Sequence, residues 1–413
     1  MKFIICIAML FSSIPFLFCQ SELNSNESFY VIPEFVLGKT LEANDGFPKT
    51  QLQKGLFVNL GQYNFNENNI WARQLNYPKT GVSIGIIDFG ETEKIGRAYT
   101  FIPFIEYQLF KRWNLHVGMG GSYMDTLYDE ENNPSNRAIT THLNWSFRSF
   151  MHYSLLNNKV NWRFGLGYIH HSNGHTRLPN QGLNSLLASF SAVIDTQPEA
   201  IKSFEKTKKK KSVQTYFSGR FGYGENVLSE IFNEKKPVYT MAFSAGRIYN
   251  KTFKFGGGFY YRFYQHYYDY IKNEEDLVIQ EYPIFLENPT GYASNYGLFA
   301  TAELLLGHVG FEFSLGFNIH KPFYPIDWKL NEGFDYVNPM GETIDVLGEL
   351  DWYYEIKRSI SSRLGLNFYL INTNKSPKHN VALGLHINGN LGQADFTDLS
   401  LIYVYRLDLK NKK

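Results

Sequence analysis

The sequence predicts an all-β fold, a transmembrane antiparallel β-barrel of about 14 strands (roughly 12–16). Three observations predict it. Apolar and polar residues alternate with period two in segment after segment, so each strand shows one face to an apolar medium. These segments run roughly 10–12 residues, the length of a tilted strand crossing a bilayer and longer than the roughly 5–6 of an ordinary strand. Short turns (155–159, 249–251, 307–308) alternate with long polar loops (125–137, 269–292, 321–349), as at the two rims of a membrane barrel. Composition agrees. Tyr, Phe and Trp make up 17% of the 413 residues, yet mean hydropathy is −0.30 and no long apolar run follows the first 20 residues.

Taken in order, residues 1–20 (MKFIICIAMLFSSIPFLFCQ) read as a secretory signal peptide: Lys2, an apolar core, then a polar stretch. Both cysteines, Cys6 and Cys19, lie there, so the mature chain is expected to lack disulfides, thiolate ligands and thiol nucleophiles. Phe18 is too large for a lipoprotein cleavage box, so Cys19 is not read as a lipid anchor. The remainder, 21–413, is expected to be a single barrel in the outer membrane. Strand number is ambiguous before Gly81 and over 351–371, which reads as one long strand or two. In 252–263, Phe253, Phe255, Phe259, Tyr261 and Phe263 oppose Lys254, Gly256, Gly258 and Arg262. In Val309–His320 the apolar face runs from Val309 to Ile319 and the other carries Gly310, Glu312 and Ser314. In 398–409, Leu399, Leu401, Tyr403, Tyr405, Leu407 and Leu409 oppose Asp398, Ser400, Arg406 and Asp408. The lysine run 208–211 falls between strands and reads as a solvated periplasmic loop. With 40 Lys+Arg against 39 Asp+Glu the chain is not built to grip nucleic acid, and 44% hydrophobic against 19% charged residues excludes wholesale disorder. A soluble sandwich would give the same alternation; strand length and the loop asymmetry favour the barrel.

One segment carries chemistry: 167–184, GYIHHSNGHTRLPNQGLN. A His-x-Ser spacing alone means little, and His152-Tyr153-Ser154 is a second instance. Placement means more. In Asn161–Ser172, Trp162, Phe164, Leu166, Tyr168, His170 and Ser172 share the apolar, lipid-side face. In the next strand Asn184 shares a face with Leu186, Ala188, Phe190, Ala192 and Ile194. Three polar groups thus gather on the lipid side of neighbouring strands, where unpaired polar groups are costly. Residues two apart on a strand lie roughly 6.5–7 Å apart on one face, so His170 and Ser172 can form a base–nucleophile pair, with Asn184 placed to orient the imidazole. The strand direction puts the cluster near the outer rim.

This segment resembles the active-site region of the lipid A 3-O-deacylase (PagL-type) family of outer-membrane barrels. The matching elements are His170-x-Ser172-Asn173 and Pro179-Asn180-x-Gly182-x-Asn184, within a resemblance spanning roughly 55–194. The rest of the chain resembles the longer Bacteroidetes-type versions, often labelled acyloxyacyl hydrolase. The resemblance implies a serine esterase removing an ester-linked 3-hydroxyacyl chain from lipid A of lipopolysaccharide, with no metal or cofactor. Ser172 would be the nucleophile and His170 the base; Asn180 and the backbone amides near Asn173 and Gly174 would form the oxyanion hole. The family's orienting glutamate falls at Asn184, a departure, since an amide can hold a ring tautomer but does not stabilise imidazolium as a carboxylate does.

Other readings stand beside this one. The same site could act on a secondary acyl chain or a phospholipid, or the barrel could be a pore or structural protein with a degenerate site. Asn173 and Asn180 also suit an ordinary turn. His175 and Arg177 read as loop residues that could touch a lipid phosphate. A metal held by His170, His171 and His175 is disfavoured, because adjacent strand residues point to opposite faces.

Overall fold

A computed structural model describes residues 29–65, 69–155, 160–195, 211–337, 341, 343–346 and 351–408. Residues 1–20, expected from the sequence to be a signal peptide and holding both cysteines, together with Lys208–Lys210 and the terminal residues 409–413, lie outside the described residues.

The first half of the chain forms β1 (Phe29–Thr40), β2 (Gln53–Tyr63), β3 (Lys79–Asp88), β4 (Arg97–Phe110), β5 (Trp113–Met124), β6 (Leu143–Leu155), β7 (Asn161–Ser172) and β8 (Leu183–Asp195). The second forms β9 (Val213–Asn226), β10 (Lys236–Tyr249), β11 (Phe253–Tyr264), β12 (Ser294–Leu306), β13 (Val309–His320), β16 (Ile360–Tyr369), β17 (His379–Gly389) and β18 (Ala394–Asp408). A hairpin of β14 (Phe334–Val337) and β15 (Thr343–Val346) stands apart in the connection after β13. All pairings are antiparallel.

The strands close twice. β1 pairs with β8 to seal an eight-stranded barrel, and β9 pairs with β18 to seal a second. This corrects the single barrel expected for 21–413; the 16 barrel strands fall at the upper end of the expected count. The physical reason is that alternation reports which way side chains point, whereas closure depends on which distant strand satisfies the exposed edge of β1. Within 351–371 there is one strand, β16, preceded by the short helix Tyr354–Ser359.

Both walls are apolar outside, and both interiors combine buried polar and charged side chains with apolar clusters. Exposed Trp162, Phe164 and Leu166 on β7 alternate with buried Arg163 and Ile169. On β13, Phe313, Leu315, Phe317 and Ile319 are exposed while Glu312 and Ser314 are buried. An apolar outer wall on a closed sheet suits a bilayer, because every backbone donor and acceptor is paired within the sheet. Buried charges in the lumens are paired, as such burial requires. In the first barrel Arg148 meets Glu34 at 2.6 Å and Arg163 meets Glu106 at 2.8 Å. In the second, Lys254 meets Glu303 at 2.7 Å and Arg363 meets Glu312 at 3.2 Å. A cavity of about 20 Å³ lies beside Arg220, Lys254 and Glu312, room for about one water.

The connections after β1, β3, β5 and β7 share one rim of the first barrel, and those after β9, β11, β13 and β17 share one rim of the second. Contacts join the barrels at this rim. Arg137, before β6, forms an ion pair with Glu230, after β9, and Trp145 Nε1–H on β6 donates to Thr397 Oγ1 on β18 at 3.0 Å. Helical caps close the second barrel there: aromatic Tyr264, Tyr267, Tyr270, Phe285, Phe323 and Phe396 pack into one buried cluster.

Candidate active site

The three central strands of the site are β6, β7 and β8. Antiparallel register sets His170 opposite Asn184 on one side and opposite Phe147 on the other; Ser172 stands opposite Trp145. His170 and Ser172 are half-buried on the outer face, and His171 between them is fully buried in the lumen. Period-two projection accounts for this directly.

His170 Nδ1–H donates to Asn184 Oδ1 at 2.8 Å. Because the acceptor is an amide oxygen, the proton sits on Nδ1 and Nε2 is left as the basic nitrogen. Tyr168, two residues back on the same face, donates its hydroxyl to the same oxygen.

Ser172 ends β7, where the chain turns into loop 173–182. Its Oγ accepts from Asn180 Nδ2 at 3.0 Å and from Gly174 N–H at 3.3 Å. Gly174 has φ +68°, a left-handed conformation that glycine adopts without strain. Asn180 is aimed by its other end: Asn173 N–H donates to Asn180 Oδ1 at 3.1 Å, which turns Nδ2 towards the serine. Among the described residues no hydrogen bond joins the His170 ring to Ser172. Catalytic hydrogen bonds often tighten only when substrate binds.

The structure therefore brings together His170, Asn184, Ser172, Gly174 and Asn180. It separates Asn173 from the expected donors: its N–H is engaged by Asn180, and its side chain donates to Arg177 O at 2.7 Å and accepts from Thr176 N–H at 3.1 Å. Asn173 shapes the turn. His171 lies in the lumen, its Nδ1 at 2.8 Å from Ser146 Oγ. His175 is in the loop, where its carbonyl accepts from Val227 N–H at 3.4 Å, and Arg177 is exposed.

Sequence reasoning missed three neighbours. Tyr168 was legible in principle, since it shares the outward face. Trp145 depends on the pairing register of β6 with β7, and Thr397 lies 252 residues from Trp145, beyond any local signal.

No curated protein matches the chain. Among solved structures, an outer membrane channel from Pseudomonas putida F1 is 10% identical, with 92% of this chain and 95% of that one covered and a TM-score of 0.16. OccAB4 of Acinetobacter baumannii is 9% identical, with 94% and 100% covered and a TM-score of 0.19. TM-scores this low establish no shared fold. A family model, by contrast, falls on the strands that build the site: residues 52–192, about a third of the chain and essentially β2 to β8, match lipid A 3-O-deacylase (PagL).

Proposed function

We propose that the first barrel is an outer-membrane serine esterase that removes the ester-linked 3-hydroxyacyl chain of lipid A. One observation carries the reading: an oriented imidazole and a hydroxyl flanked by two hydrogen-bond donors share the lipid-side wall near the long-loop rim. The family match over 52–192 supports the substrate class. An acyl chain in the outer leaflet can reach such a site sideways, without leaving the bilayer.

In the proposed reaction, His170 Nε2 takes the proton of Ser172 as Oγ attacks the ester carbonyl carbon. Negative charge gathers on the carbonyl oxygen, beside Gly174 N–H and Asn180 Nδ2, which supply an oxyanion hole. The ester C–O bond breaks, and the imidazolium returns its proton to the departing sugar oxygen. Water, deprotonated by His170, then attacks the acyl-serine carbonyl carbon; the bond to Oγ breaks, the free 3-hydroxy acid leaves, and the imidazolium returns its proton to Ser172 Oγ. Asn184 keeps the ring tautomer throughout; having no charge, it stabilises imidazolium less than a carboxylate would.

Incubating purified protein in detergent with lipid A should release 3-hydroxy fatty acid, detected by mass spectrometry. Release that persists in Ser172→Ala overturns the assignment. A non-hydroxylated acid would instead indicate a secondary acyl chain or a phospholipid as substrate. The pore reading is disfavoured by lumens filled with paired charges, the usual condition of eight-stranded barrels; single-channel conductance without ester hydrolysis would restore it.

A further inference from the structure

Loop 173–182 carries both donors to Ser172, so what holds that loop decides whether the site is assembled. On its own barrel it is tied by Gln181 N–H to Arg137 O at 3.2 Å and by Gly182 N–H to Ala138 O at 3.0 Å. Its middle is tied elsewhere. Leu178 N–H donates to Asn233 Oδ1 at 2.9 Å, and Asn233 Nδ2 donates back to Leu178 O at 2.6 Å. This is a two-point clamp, made by a residue in the connection between β9 and β10 of the second barrel. Val227 N–H, in the same connection, reaches His175 O.

The clamp is itself rigidly mounted. Phe232 N–H donates to Ser229 Oγ at 3.2 Å and Leu228 N–H to Phe232 O at 3.1 Å. The Phe232 ring packs edge-on against Tyr270 in the cap at 5.2 Å, and Asn331 Nδ2 holds Leu228 O at 3.1 Å. On the other flank, Thr397 accepts from Trp145, and a Cβ added at Gly174 would lie 2.4 Å from Thr397 Oγ1. The second barrel thus abuts the donor loop at His175, Leu178 and Gly174, within a few residues of Ser172 and Asn180.

We propose that Asn233 is a positioning residue for the first barrel's site: it fixes Leu178, and through it Asn180, so that the donors stay aimed at Ser172. The second barrel is on this view a structural component of the hydrolase. The proposal rests on the esterase reading for its catalytic consequence, but the clamp has a readout independent of it. An amide bond of the chain already satisfies each end of the Asn233 side chain, so its removal leaves Leu178 N–H and C=O to water. A misplacement of about 1 Å in a donor can cost about a hundredfold in rate.

The test uses the full chain in detergent, with folding verified by resistance of the barrels to unfolding in unheated gel samples. In Asn233→Ala, amide hydrogen exchange across 173–182 should quicken at least about tenfold, and kcat for lipid A deacylation should fall about tenfold with KM within about twofold, since the clamp touches no substrate. Asn233→Asp, which keeps the acceptor for Leu178 N–H, should recover part of both. Unchanged exchange and unchanged kcat in Asn233→Ala overturn the proposal, as does a loss carried by KM. Should Asn233→Ala fail to fold, Thr397→Val applies the same two readouts from the other flank and supports or overturns the second barrel's role. If the wild type releases no acid from lipid A, the esterase reading falls, while the exchange comparison still decides the clamp.

Discussion

The two barrels share strand number, pairing pattern and a charge-filled lumen, yet their outer walls differ: the second shows a His379–Tyr403 pair on β17 and β18, whereas the first gathers His170, Ser172, Asn184 and Tyr168 beside a loop that turns two donors onto the serine. On β9, β13 and β18 the outward positions are chiefly Phe, Tyr and Leu. On β7 and β8 the outward row changes from Trp162, Phe164 and Leu166 to Tyr168, His170 and Ser172, with Asn184 beside them. Architecture is therefore common to both halves, and the clustered polar groups belong to a few outward positions at one rim. A polar group on a lipid-side wall is tolerable only when partnered, and each of these four is.

The sharpest way to break the comparison is at the nucleophile. Ser172→Ala should lower acyl release from lipid A at least about a thousandfold while leaving both barrels folded; a smaller loss would remove the contrast between the walls. The lumens should instead behave alike. Glu106→Gln strands Arg163 in the first barrel and Glu303→Gln strands Lys254 in the second, each costing about 3–5 kcal/mol in denaturant unfolding. Unequal losses would show that the interiors differ as the walls do. At the orienting position, Asn184→Ala should slow turnover about tenfold or more, by freeing the imidazole, and Asn184→Glu should speed it by restoring a charge opposite imidazolium. The smallest effect belongs to Tyr168→Phe, which removes one donor to Asn184 Oδ1. A slowing of a few-fold is expected, in keeping with about 0.5–1.5 kcal/mol for one hydrogen bond.

Much of this was legible in the sequence because strand geometry is periodic. The outward placement of His170, Ser172 and Asn184, and the inward placement of His171, follow from counting by two once a strand is recognised. The donors to Ser172 were half legible: a loop with Asn and Gly beside the serine suggested them, but only coordinates separate Asn180, which faces Ser172, from Asn173, whose groups are spent within the turn. Closure was not legible. Nothing local in β1 tells whether its open edge will meet β8 or β18, since both present the same alternating pattern. Contacts between the halves, such as Leu178 with Asn233, join surfaces that no periodicity addresses.

An even number of strands returns a chain to the side it left. Because β8 ends and β9 begins on the side where β1 starts, the two halves are continuous in sequence at the end away from Ser172, while at the Ser172 end they meet through hydrogen bonds such as Trp145 with Thr397 and Leu178 with Asn233. A cut between β8 and β9 would leave those hydrogen bonds in place, so the two pieces should stay associated after nicking, which co-purification would show.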